Sequence, residues 1–150
     1  MSKNLDAVRG SYEASAAGDV GGLLRLLAQD ARWTEMAGFP YGGTYVGPEG
    51  VLDGVFQRLG TEWDDYRAVP EEYVDGGDTI VVIGDYSGTY LATGKHMTVR
   101  FVHVWKCEDG VAKRFEQFTD TALVQEGVPV VMAQDPADMP FTCAYAEVSG

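Results

Sequence analysis

Apolar positions in the first sixty residues recur at helical spacing, and from residue 63 onward they recur every second residue. Leu5, Val8, Tyr12 and Ala16 step by three and four, which predicts a helix over 4–17. Gly18 ends it, and Asp19 is placed to cap a second helix that buries Val20, Leu23, Leu24 and Leu27. Asp30 then opens a short extended segment over 31–36. Residues 38–47, GFPYGGTYVG, read as a glycine-rich aromatic loop without the GxxxxGK[ST] pattern of a phosphate cradle. Pro48 suits a first helical position, with Glu49 beside it, and starts a third helix with Val51, Leu52, Val55, Phe56 and Leu59 inside.

Alternation then predicts strands over 66–74, 79–90, 97–107 and 111–121. Gly76-Gly77-Asp78, Gly94 and Glu108-Asp109-Gly110 mark the turns between them. The tail over 126–150 carries Pro129, Pro136 and Pro140 and no period, so it reads as an irregular C-terminal arm. Helices followed by antiparallel strands joined by short turns predict an α+β domain, with the helices on one face of a curved sheet. Such a sheet leaves a hollow at one end, and an apolar hollow is the default ligand site.

Composition narrows the function classes. At 150 residues, with 45% hydrophobic and 23% charged, the chain suits one folded domain rather than a disordered one. A net charge of −12 with no basic stripe argues against nucleic acid and against an anionic membrane surface. No run reaches the length of a membrane span, and MSKNLDAVRG holds no apolar signal core, so a cytoplasmic protein is expected. Cys107 and Cys143 stand apart, without CxxC or metal-ligand spacing, and are expected to be free thiols. His96 and His103 lie seven residues apart on an alternating strand and face opposite sides, so they form no shared metal site. Neither cysteine neighbours a histidine as a nucleophile–base pair would. No metal and no cofactor are expected.

The candidate chemistry sits on two strands. Glu35 stands among Trp33, Met36 and Phe39. Burial there would raise its pKa and make it a usable base near neutral pH. The alternative is a solvated carboxylate or an ion pair with Arg32. On the strand over 97–107, Met97, Val99, Phe101, His103 and Trp105 share the bulkier, aromatic face, which is assigned inward. His103 then lines the hollow or is a core histidine bonded to backbone. Arg100, Val102, Val104 and Lys106 face outward, either as an exposed sheet or as a homodimer contact. On the last strand Phe115, Gln117 and Thr119 are assigned inward, while Asp120 sits either at a structural strand end or at the pocket rim.

This layout resembles the nuclear transport factor 2-like superfamily, in its ketosteroid isomerase-like and SnoaL-like polyketide cyclase branch. The resemblance covers about 4–125, and 126–150 lies outside it. It rests on AGD at the helix junction, LLAQDARWTEM, YVGPEGV, DGGDTIVVIGDYSGT, HVWKCEDG and QFTDT, in that order. It implies a cone-shaped, curved, mixed or antiparallel sheet with three N-terminal helices on its concave face enclosing a pocket, and a homodimer. Carried over by position, the isomerase general base falls on Glu35, a carboxylate with one more methylene. The oxyanion-hole tyrosine falls on Ser11, one residue before Tyr12, a step of about 100° around a helix. The acid of that oxyanion hole, like the acid–base aspartate of SnoaL-like cyclases, falls near His103.

Two readings follow. In the first, the protein is a cofactor-free acid–base enzyme of isomerase, cyclase or dehydratase type. Its substrate is a small, mostly apolar carbonyl compound. Glu35 abstracts a proton, His103 stabilises or protonates the enolate, and Tyr12, Trp33, Phe56, Phe101, Trp105 and Asp120 contact the substrate. In the second, the same hollow binds a small molecule without turnover, or the sheet serves as a dimeric scaffold.

Overall fold

A computed structural model of the chain describes residues 2–128. Helix α1 spans Lys3–Ala16, with Ser2 accepting from the Leu5 amide as its cap. Gly18 turns the chain at φ +80°, and Asp19 caps the short α2, Val20–Leu24, by accepting from the Gly22 amide. The helical leucine spacing runs on, but Leu27 already belongs to strand β1, Leu27–Glu35, where it pairs with Ala112. Sheet pairing here overrides helix propensity, so β1 starts four residues earlier than the spacing predicts.

The glycine-rich loop contains a strand, β2, Gly43–Val46, paired antiparallel to β1. A continuous helical stretch follows: α3, Gly47–Val51; one π-type segment, Leu52–Phe56; and α4, Gln57–Glu62. Val51 and Val55 are its fully buried positions, while Leu52, Phe56 and Leu59 are half-buried. Gly54 in the π segment is required, because a Cβ there would collide with the ring of Tyr45.

Strands β3, Trp63–Asp75, β4, Thr79–Tyr90, β5, Lys95–Glu108, and β6, Val111–Thr119, form an antiparallel meander. Asp109 and Gly110 both have positive φ, as the two-residue turn between β5 and β6 demands. The sheet order is β2-β1-β6-β5-β4-β3, and β1 runs parallel to β6, so this is a mixed, open, curved sheet in an α+β fold. Irregularities in the β3–β4 register bend its far edge. The helical elements α1, α3 and α4 pack against one face of the sheet.

Alternation along β5 is realised: Met97, Val99, Phe101, His103 and Trp105 are buried, and His96 is exposed on the opposite face. On β6, Phe115 and Gln117 point inward, and Phe118 points out. Strand β6 ends at Thr119, two residues before the predicted end, and the helix that follows takes in residues 126–127 of the expected arm. Asp120 caps a fifth helix, α5, Thr121–Gly127, which packs on β5 with Val124 buried. Residues 129–150 of the expected arm, and Cys143 with them, lie outside the described residues; Cys107 is a buried thiol.

Candidate active site

A cavity of about 280 Å3 lies between the helices and the concave sheet, close to the lower end of ligand pockets at roughly 300–1,000 Å3. Aromatic rings build much of its wall. Trp33 of β1 stacks on Phe115 of β6, centroids 3.7 Å apart, and meets Trp105 and Phe56 edge-on at 5.6 Å. Trp63 and Tyr66 of β3 also line it.

Glu35 is the last residue of β1, paired with Gly43 of β2, and points inward because Trp33 and Ala31, two and four residues earlier, do so too. It is 4% exposed and lines the cavity. Its Oε2 has no hydrogen-bond partner, and neither does the indole N–H of Trp33. Arg32, on the other face of the strand, is exposed and forms no ion pair with it among the described residues. Burial without a cation pushes the Glu35 carboxyl up to about 8, opposed in part by the nearby Trp33 N–H.

His103 is held at both ring nitrogens. Tyr12 Oη of α1 lies 2.5 Å from Nδ1, and Tyr86 Oη of β4 is bonded to Nε2. Phe101 stacks on its ring at 4.0 Å. Trp105 Nε1 donates to Tyr12 Oη, and Gln117 Nε2 donates to Tyr86 Oη, each at 3.0 Å. The ring is buried with no carboxylate bonded to it, so its pKa falls to about 3 and it is neutral. Burial likewise raises Tyr12 and Tyr86 well above the usual phenol range.

Sequence reasoning and geometry agree for most of the candidates. Glu35, His103, Tyr12, Trp33, Phe56 and Trp105 line one cavity, and so does Ser11, whose hydroxyl donates to the Val8 carbonyl. Phe101 is a layer further out, behind His103 and Tyr86 rather than on the cavity wall. Asp120 is a correction as a rim residue. Its carboxylate accepts from the Leu123 amide at the start of α5, it is exposed, and it does not reach the cavity. Tyr86 was missed. Its signal was the inward alternation Ile80, Val82, Gly84, Tyr86 on β4. Gln117 was placed inward, but its bond to Tyr86 was not foreseen. No three His, Cys, Asp or Glu side chains among the described residues are grouped to hold a metal ion, and no helix there is long and apolar enough to cross a membrane.

Comparison with solved structures places this architecture. An NTF2-like protein from Burkholderia thailandensis E264 is 42% identical, with a TM-score of 0.82 over 85% of this chain and 98% of that one. TerC, co-crystallised with polyporic acid, is 31% identical, with a TM-score of 0.76 over 85% of this chain and 99% of that one. A Catenulispora acidiphila DSM 44928 protein of ketosteroid isomerase-like fold shares the fold at 16% identity, with a TM-score of 0.70 over 81% and 90% of the two chains. No curated protein matches the chain. The SnoaL-like domain profile matches residues 8–115, and the chain belongs to the SnoaL-like domain family.

Proposed function

We propose that the protein is a cofactor-free acid–base enzyme acting on a small, mostly apolar, planar carbonyl compound. The observation that carries this is Glu35, a buried carboxyl with an unpartnered oxygen on the cavity wall, raised by burial into the range of a working base. A structural carboxylate is commonly held by a cation, and among the described residues Glu35 has no ion-pair partner. Glu35 takes a proton from the carbon beside the substrate carbonyl. A tyrosine hydroxyl held on His103 stabilises the oxygen on which negative charge then develops. His103 acts through its tyrosine partners, because both of its nitrogens are already bonded. Trp33, Trp105 and Phe56 offer an aromatic wall to the apolar body. The co-crystallisation of TerC with polyporic acid supports an aromatic, oxygenated ligand. Isomerisation, cyclisation and dehydration all begin with this proton abstraction.

The test is α-deuterium exchange of 2-tetralone followed by NMR, together with a fluorescence titration with polyporic acid. Acceleration by the wild type and its loss in Glu35→Gln, with polyporic acid still bound, supports the enzyme. Binding without any acceleration, unaltered by Glu35→Gln, makes the pocket a non-catalytic binding site.

The outer sheet face supports pairing of two copies of the chain. Val81–Val104, Ile83–Val102 and Val102–Phe118 are cross-strand neighbours on it, and Phe118 is 41% exposed in the single chain.

A further inference from the structure

Two tyrosine oxygens bracket one neutral imidazole, and counting protons leaves one hydroxyl over. Tyr12 Oη accepts from Trp105 Nε1 and Tyr86 Oη accepts from Gln117 Nε2. The Gln117 amide cannot be turned round, because its Oε1 accepts from the Met36 amide at 3.3 Å. Each tyrosine also meets one nitrogen of His103. A neutral imidazole has one N–H and one bare nitrogen. The tyrosine at the bare nitrogen donates its proton there. The tyrosine at the N–H accepts from it, and its own O–H then has no acceptor within the network. A buried O–H without an acceptor is costly, and both tyrosines line the cavity, where a ligand atom can accept it.

We propose that the leftover hydroxyl is that of Tyr86, and that it binds one carbonyl, enolate or phenolate oxygen of the ligand while His103 is fixed as its Nε2–H tautomer. The proposal rests on reading the cavity as a ligand site. Tyr86 is favoured over Tyr12 by its attachment. Gln117 ties Tyr86 to Met36, the residue after Glu35, so its hydroxyl stands at the Glu35 end of the cavity. Tyr12 is instead tied to Trp105. His103 is therefore a positioning residue. Its tautomer decides which tyrosine is the donor.

The experiment is 15N NMR of histidine-labelled full-length protein, with His96→Gln used to assign the second of the two histidines, alongside 2-naphthol binding by tryptophan fluorescence. The wild type is expected to have Nε2 protonated and Nδ1 bare between about pH 6 and 9. An unsatisfied N–H is worse than an unsatisfied lone pair, so Tyr12→Phe keeps the Nε2–H ring and Tyr86→Phe moves the proton to Nδ1. Tyr86→Phe weakens 2-naphthol by about tenfold or more, as loss of a strong hydrogen bond does, and Tyr12→Phe by less than about threefold. Both variants preserve ring size, and unfolding curves check that they fold. An Nδ1–H or doubly protonated ring in the wild type, no binding of 2-naphthol, or a larger loss in Tyr12→Phe overturns the proposal. These readouts are separate from turnover. A wrong tautomer in a protein whose exchange still depends on Glu35 removes Tyr86 as the donor and leaves the general base standing.

Discussion

The hydroxyl of Tyr12 and the Nδ1 of His103 lie 2.5 Å apart across 91 residues of chain, joining the first helix to the middle of the sheet. The contact is buried, with Tyr12 7% and His103 5% exposed. Tyr12→Phe leaves the Trp105 N–H without its acceptor and one ring nitrogen without its partner. The expected loss is about 1–3 kcal/mol of folding stability, read as a lower urea midpoint with an unchanged slope. No change in midpoint contradicts the bond.

Glu35 and His103 make opposite demands on pH. Glu35 is raised from 4.5 to about 8, so the unfolded chain gives up this proton first and stability falls as pH rises from 4.5 to 8. His103 is lowered from 6.5 to about 3, so the unfolded chain takes up this proton first and stability falls as pH drops from 6.5 to 3. Between 4.5 and 6.5 the two slopes oppose each other. Their joint contribution is expected to be flat there and to decline on both sides, which thermal unfolding across a pH series measures.

Glu35→Gln removes the alkaline limb. The variant is expected to be more stable than wild type by several kcal/mol at about pH 9 and to lose most of that advantage near pH 5. A base held in this way weakens the fold that carries it. Equal stabilities at both values would mean that Glu35 titrates as an ordinary surface carboxylate.

Much of this was legible in the sequence because period-two alternation needs no tertiary information. The bounds of β4 and the inward face of β5 follow from it, and with them the joint placement of Trp33, Glu35, His103 and Trp105. What was not legible depends on which strands become neighbours. Tyr86 reads as one more strand aromatic until β4 pairs with β5 and sets it beside His103. Leu27 reads as helical until Ala112 pairs with it. β2 is four residues in a glycine-rich loop, and α5 is seven residues fixed by the Asp120 cap and buried Val124. Neither is long enough for periodicity to declare it.

Gly84 tests the packing behind the site. A Cβ there would run into the Val69 carbonyl and the Phe101 ring that stacks on His103. Gly84→Ala is expected to destabilise by about 1–3 kcal/mol through overpacking and to weaken polyporic acid binding. A variant as stable as wild type contradicts the close strand approach.

Pairing through the outer face is checked by sedimentation. Wild type is expected as a dimer, and Val104→Lys, which puts a charge on the half-buried apolar patch, as a folded monomer. A monomeric wild type ends that proposal.

The rate of 2-tetralone α-deuterium exchange as a function of pH bears most directly on Glu35 as the base. The base must be ionised, so the rate is expected to rise with pH and level off with an apparent pKa near 8, and to be lost at every pH in Glu35→Gln. A rate already level above an ordinary carboxylate pKa, or one that Glu35→Gln leaves intact, would contradict it.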